Sequence, residues 1–498
     1  MGIALAAVAL IHAILFVVIR RSPTRELALF IAVSFIGLYG SLGNFLTPII
    51  GETAFISAWT ILHLVLIGWV YRFGQAAAMG KAIPVIVFTI GLTIVFQIGG
   101  VGLPVASDSR LVSQLMGELE SSDECNKEKR TSIAKDRPDI YYIIVDAYAG
   151  EAILKQVYDF DNQPFTDALR ERGFFVGDKS RSNYHLTELS LASSLNMRHI
   201  HDVGLHEFKT RIPIRQMIAE SSVARFLTNR GYKTIALETG KSDTQCKGFD
   251  QYFPVGNALN DYQDVLYHGT LLPKLLELVG NPVPSAARRH GERTIKTLEA
   301  IPTVVTPGSQ PSFVFSHLLA PHPPFVNDSA GQVVDLHGYY LLADSTHFTA
   351  CYDYDLEIYR NAYRSQVAFI NQKLMEMVDR IQDSDRSSVI IIQADHGPRM
   401  GFGTNPSAEV RPEDVNLRFQ EAYSILNAIY LPEDLNPEFY SSMTPVNTFR
   451  LIFNEMFDAR LNLEPDDSYF EENYAFENAT DKTMPRKTET KTAITQTR

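Results

Sequence analysis

Four long apolar runs open the chain, Ile3 to Ile19, Leu27 to Ile50, Ala54 to Val70 and Ile83 to Leu103, and almost all of the charge lies after about Ser107. Each run is close to the roughly 20 residues that a helix needs to cross a bilayer, and four in succession exceed a cleaved leader. The pattern predicts four transmembrane helices over residues 1–103. Arg20, Arg21 and Arg25 lie between the first two runs, and Arg72 and Lys81 between the last two, whereas the middle loop carries only Glu52. Basic loops face the cytoplasm, which puts Met1 and everything after Leu103 on the outer side. His12 and His63 fall inside the runs with little else polar nearby and read as neutral histidines packed between helices.

After a polar linker, 104–136, the periodicity changes. RPDIYYIIVD, Arg137 to Asp146, is a β-branched and aromatic run without polar alternation, as expected of a strand covered on both faces. A helix over Phe165 to Arg172 leads into GFFVGD, and one over Val223 to Arg230 into GYKTIAL, each with a glycine where the helix ends and the strand begins. PSFVFSHLL, from Pro311, is another strand. Leu356 to Ile381 sets Val367, Ile370, Leu374, Met377, Val378 and Ile381 on one helical face and feeds the strand Ser387 to Ile392. Helix then strand, repeated, predicts an α/β domain over 137–465 whose mainly parallel sheet is covered by helices on both faces. From about Asp466 the chain is polar and reads as a disordered tail over 466–498.

Composition narrows the partners. A net charge of -12 and a pI near 5.6 exclude a general nucleic-acid binder, which would carry a basic face. Cys125, Cys246 and Cys351 form no CxxC pair, so neither a zinc ribbon nor a dithiol motif is present.

The candidate chemistry gathers at strand ends. Asp146 closes the first strand, where ligands collect in open α/β sheets. IIIQADHGPRM puts Asp395 and His396 at the same kind of position, and a carboxylate beside an imidazole suits a divalent cation. In RSNYHLTELSLASSLNMRHI, Thr187, Ser190, Ser193 and Ser194 crowd the start of a helix. Such hydroxyls serve as caps, or, held against a metal, as nucleophiles, and the residues alone leave both roles open. SHLLAPHPPF places His317 and His322 at and just past a strand end, where an imidazole can contact phosphoryl oxygens or protonate a leaving alkoxide.

Taken in order, RPDIYYIIVDAYAG, SNYHLTELSLASSLN, SHLLAPHPPF and QADHGPRM resemble the sulfatase-like branch of the alkaline phosphatase superfamily. The membrane-anchored bacterial members are the most similar: the lipoteichoic acid synthases and the phosphoglycerol and phosphoethanolamine transferases. The resemblance spans about Arg137 to Asp458, with AYSILNAIYLP and TPVNTFRLIFNEMF as the domain's final strand and helix. It implies that Asp146, Thr187, Asp395 and His396 bind one divalent metal ion, manganese, magnesium or zinc. It further implies that Thr187 is the nucleophile, that His322 is catalytic and binds substrate, and that His317 binds substrate. A multi-pass protein of the cell membrane with an extracytoplasmic catalytic domain follows, with membrane lipids as partners. The donor would be a phospholipid head group and the acceptor an envelope glycan or lipid. Formylglycine sulfatases carry Cys or Ser followed by x-P-x-R, and no such motif occurs near Thr187, which turns the expectation toward phosphoryl or phosphodiester groups. The lipoteichoic acid enzymes usually carry a glutamate where this chain has Asp146. Two other readings are a sulfuric ester hydrolase or phosphatase, and a catalytically silent envelope protein that keeps the fold for binding.

Overall fold

The computed structural model describes residues 137–201, 211–241, 248–255, 272–278, 286–334, 356–400, 412–472 and 475–478, with Ile61, Val65, Thr244, Cys246, Gly280, Pro284 and Thr480 as single positions. The predicted spans and linker, Ile61 and Val65 apart, lie outside these residues. Among the described residues no helix is long and apolar enough to cross a membrane. Contacts divide the chain into two units, 1–106 with 259–285, and 107–258 with 286–498.

The second unit is built on a seven-stranded sheet of β1 (Asp139–Val145), β2 (Phe175–Val176), β3 (Lys233–Leu237), β4 (Gln251–Phe253), β5 (Ser312–Leu318), β6 (Ser388–Gln393) and β7 (Asn427–Tyr430). Their order is β2-β7-β6-β1-β5-β3-β4. The helices are α1 (Glu151–Tyr158), α2 (Gln163–Glu171), α3 (Thr187–Asn196), α4 (Ile212–Ala219), α5 (Ser222–Asn229), α6 (Leu272–Leu278), α7 (Ala286–Ala300), α8 (Leu356–Gln382), α9 (Pro412–Tyr423) and α10 (Pro445–Phe457). Of these, α6 belongs to the first unit.

β1 lies at the centre because all seven of its side chains are buried. Tyr141, Ile143 and Val145 face a layer containing α1, α2, α7 and α8, and Ile140, Tyr142 and Ile144 face α3, α4, α5 and α10. Each large apolar side chain buried this way contributes about 1.5–3 kcal/mol, more than the ~1–2 kcal/mol that ordering its backbone costs, so a two-faced strand is the stable place for this run. The α/β architecture expected from the sequence is therefore present.

β1 pairs in parallel with β5 and β6, and β5 with β3, whereas β7 runs antiparallel between β6 and β2. At the amino ends the buried Asp139 carboxylate accepts the Ser312 N–H at 2.8 Å and the Arg386 guanidinium, tying three strands together. At the carboxyl ends, Ile144 stands in register with His317 on one side and Gln393 on the other, so the candidate residues leave the sheet along one edge.

One boundary differs from the sequence reading. The polar tail expected from Asp466 is part of the fold as far as Asn478: β8 (Tyr469–Glu472) and β9 (Ala475–Asn478) form an antiparallel pair. The Tyr469 N–H donates to the Asn183 carbonyl at 2.8 Å, its ring stacks 4.0 Å from His201, and Phe470 stacks 4.6 Å from His185. Those aromatic contacts, made with residues nearly 300 positions upstream, offset the polarity that marks the segment as a tail.

Candidate active site

Asp146, His317, Asp395, His396 and Thr187, all buried, converge beyond the carboxyl edge of β5, β1 and β6. His317 Nε2 lies 3.3 Å from Asp146 Oδ2, and His396 Nε2 lies 3.6 Å from Asp146 Oδ1 and 3.5 Å from Asp395 Oδ2. Thr187 Oγ1 is 3.1 Å from His396 Nε2.

Hydrogen bonds fix which lone pairs face inward. His396 Nδ1 is 2.7 Å from the Gly397 carbonyl, a pure acceptor, so Nδ1 carries the proton and Nε2 presents a lone pair to the carboxylates. For His317 the chain is longer. The Thr239 hydroxyl donates to the Lys241 carbonyl, the Thr244 hydroxyl donates to Thr239 Oγ1, and His317 Nδ1 at 3.0 Å then donates to Thr244. Its Nε2 is left as a second inward lone pair. Asp395 Oδ1 accepts the N–H groups of Ala147 at 3.2 Å and His396 at 2.9 Å, while Oδ2 is unused.

Asp146 Oδ1, Asp395 Oδ2 and His317 Nε2 are buried without a hydrogen-bond partner, and the ligand atoms of these three residues lie within 4.8 Å of one another. Buried acceptors facing acceptors are unfavourable unless a cation stands between them. The donor set, two carboxylates and imidazole nitrogens, fits a divalent metal of the zinc or manganese kind. Burial alone would push the Asp146 carboxyl up. The His322, His317 and His396 imidazoles, whenever they carry positive charge, overcome this and hold it well below the usual carboxylate range.

Thr187 is the first residue of α3, and the preceding Leu186 supplies no side-chain cap. The other hydroxyls of the segment turn to backbone: Ser190 Oγ donates to the Tyr184 carbonyl at 2.7 Å and Ser193 Oγ to that of Arg198 at 2.8 Å. Only Thr187 among them reaches the cluster. Gly397 allows the close packing behind His396, since a Cβ there would stand 1.8 Å from the Glu421 carbonyl oxygen.

His322 follows β5 at the margin of the cluster, its ring 6.3 Å from that of His396 and its Nδ1 2.6 Å from the Pro323 carbonyl. Burial pushes its imidazole below the ordinary value, Asp146 opposes this, and Lys241 and His396 add to it. His317, expected to bind substrate, lies with its Nε2 3.3 Å from Asp146 Oδ2. Several neighbours carried no sequence signal: Thr244, between β3 and β4, and His290 and Arg293, which line a small cavity against His317 with Thr239 and Leu319. Burial, with Arg293 and His322, pushes the His290 imidazole down to about 3.

A central parallel sheet with acid and histidine donors gathered beyond its carboxyl edge defines an α/β enzyme domain. The chain belongs to the sulfatase family, whose model matches residues 138–421, more than half of its length. Solved structures with a similar chain path include the C-terminal periplasmic domain of EcEptC from Escherichia coli in complex with zinc, at 12% identity and a TM-score of 0.45, covering 70% of this chain and 94% of that one. The lipoteichoic acid synthase LtaP from Listeria monocytogenes follows at 13% identity and a TM-score of 0.40, covering 71% and 83%. The soluble domain of lipooligosaccharide phosphoethanolamine transferase A from Neisseria meningitidis is 12% identical, with a TM-score of 0.37, covering 66% and 90%. No curated protein matches the chain.

Proposed function

We propose that this protein is a membrane-anchored, metal-dependent enzyme that transfers or hydrolyses a phosphoryl or phosphodiester group through Thr187. The observation that carries the reading is the Thr187 hydroxyl, 3.1 Å from His396 Nε2 at the edge of a buried cluster of unpaired acceptors. A plain threonine at this place, with no Cys or Ser followed by x-P-x-R beside it, favours phosphorus over sulfate esters within the family.

Asp146, Asp395 and His396 with Thr187 would hold one divalent ion, manganese, magnesium or zinc, and His317 would join them through its contact with Asp146. When bound, the ion supplies Lewis acidity that favours the threonine alkoxide and offsets charge on the phosphoryl oxygens. Thr187 Oγ forms the new bond to phosphorus as the bond to the leaving alkoxide breaks. The proton that Thr187 gives up departs on the leaving alcohol, relayed at His322. The phosphothreonine then passes its group to an acceptor alcohol or to water, regenerating the hydroxyl.

The four apolar runs support a site beside a bilayer on its outer face, where the donor would be a phospholipid head group of the phosphoglycerol or phosphoethanolamine kind and the acceptor an envelope glycan or lipid. Ile61 and Val65, one helical turn apart in the third run and each 61% exposed, suit a lipid-facing surface. The test is turnover by the detergent-solubilised chain, with manganese, on a nitrophenyl phosphodiester, phosphomonoester and sulfate ester. Manganese-dependent cleavage of a phosphorus ester that Thr187→Ala abolishes supports the reading. Preference for the sulfate ester, or no turnover and no bound metal, overturns it in favour of a sulfuric ester hydrolase or a silent binding protein.

A further inference from the structure

The turn that follows Asp146 is held from outside the site. Ala147 sits in the left-handed region at φ 61°, which L side chains rarely adopt without an external hold. Backbone bonds supply part of that hold, the Tyr148 N–H to the Val145 carbonyl at 3.3 Å and the Leu426 N–H to the Tyr148 carbonyl at 3.2 Å, and a buried side-chain hydroxyl on α8 supplies the rest: Tyr363 Oη donates to the Ala147 carbonyl at 2.8 Å and accepts the Ala149 N–H at 3.0 Å. The ring that carries it is fully buried and pinned, 4.4 Å from Tyr158 and 5.5 Å from Phe325. With residues 147–149 clamped at both ends, the Ala147 N–H points at Asp395 Oδ1. Asp395 is thereby gripped twice on Oδ1, by Ala147 and His396, and its unused Oδ2 faces Asp146 and His396.

We propose that Tyr363 is a positioning residue for the metal-binding carboxylates, setting the orientation of Asp395 and the exit angle of Asp146 through Ala147. The inference rests on the metal-centre reading above and adds to it a residue that touches neither carboxylate. Outer partners that orient ligands commonly carry 10–100-fold of metal affinity, and a hydroxyl that locks the backbone between two ligands belongs to that group.

The experiment is calorimetric titration of manganese into the metal-stripped full chain in detergent, comparing wild type with Tyr363→Phe and Tyr148→Phe. The second variant is the control: Tyr148 Oη bonds Asn162 and Asn371 from the same turn but reaches neither Asp146 nor Asp395. Expected is about 10–100-fold weaker manganese binding for Tyr363→Phe, with Tyr148→Phe close to wild type although both variants lower the melting temperature. Adding Ala147→Gly, which adopts the left-handed turn unaided, should restore part of the loss. Wild-type affinity in Tyr363→Phe, or an equal loss in both variants, overturns the role of Tyr363 while leaving the metal centre standing. A wild type that binds no manganese overturns both. Should Tyr363→Phe not fold, the double variant is compared with Ala147→Gly alone, and the proposal then requires weaker binding in the double variant.

Discussion

His396 Nε2 points its lone pair at the Thr187 hydroxyl from 3.1 Å because the other ring nitrogen is committed to the Gly397 carbonyl. The pair joins α3 to the loop after β6 and sets the only hydroxyl of its segment that reaches the cluster against two carboxylates. Thr187→Ala should lower phosphodiester turnover by about a thousandfold or more while leaving the circular dichroism spectrum unchanged, and Thr187→Ser should recover part of it. Steady-state kinetics on the three variants read this directly.

The unpaired acceptors predict a stabilising cation. At a hundred times its dissociation constant, a metal that binds only the folded state adds about 2.7 kcal/mol, a melting shift of roughly 3–5 °C for a domain of this size. Differential scanning fluorimetry should show such a shift with manganese or zinc, its reversal by chelator, and its loss in Asp395→Asn.

His290 should make the fold acid-sensitive. Its folded imidazole is pushed from 6.5 down to about 3, so below 6.5 the unfolded chain takes up a proton that the folded one refuses. Stability is then fully present above the unfolded value and falls with pH at up to about 1.4 kcal/mol per unit. His185, buried between Tyr423 and Phe470 and also held well below its ordinary value, acts in the same direction. Urea midpoints between roughly pH 7 and 5 should drop, and His290→Gln should shallow the slope by one proton.

Gly397→Ala tests the packing behind His396. A methyl group 1.8 Å from a backbone carbonyl cannot be absorbed by a side-chain rotation, so α9 or the His396 loop must move. A loss of about 1–3 kcal/mol and a much weakened metal response are expected from chemical denaturation and titration of the same sample.

At the opposite end of the sheet, Asp139→Ala strands the Arg386 guanidinium and the Ser312 N–H at once. A destabilisation of about 1–3 kcal/mol, with ester turnover per folded molecule unchanged, separates this structural carboxylate from the functional ones.

Much of this was legible in the sequence. The uninterrupted run in β1 and the helical stripe of α8 declared both faces of the sheet, because burial on two sides leaves no polar alternation to misread. Asp146, Asp395 and His396 were legible because a polar residue directly after such a run leaves the sheet at its carboxyl edge. What pattern does not encode is direction and distance. The antiparallel setting of β7, the place of the β8–β9 hairpin against Tyr184 and His185, and the contact of His317 with Asp146 all depend on partners far along the chain. Tyr363 was invisible for another reason: on α8 its ring serves the apolar stripe, and nothing in the helical spacing distinguishes a buried hydroxyl that bonds a distant turn from one that merely fills space.

The contact between Ala147 and Asp395 spans 248 positions of chain. At a synthesis rate of ~5–20 residues per second, the two halves of the centre are born roughly 12–50 seconds apart. For the first 173 positions after Asp139 the central strand exists with neither neighbour; β5 then begins to supply one edge, and the other stays open until β6 follows Arg386, itself 247 positions after Asp139. Nascent β1 is therefore apolar on both faces and open along both edges, the state most prone to pairing with the wrong chain. Biogenesis of this protein turns on whatever keeps seven residues solitary until the distal half emerges, and a pause in translation placed between the two would cost more active enzyme than the same pause placed after β7.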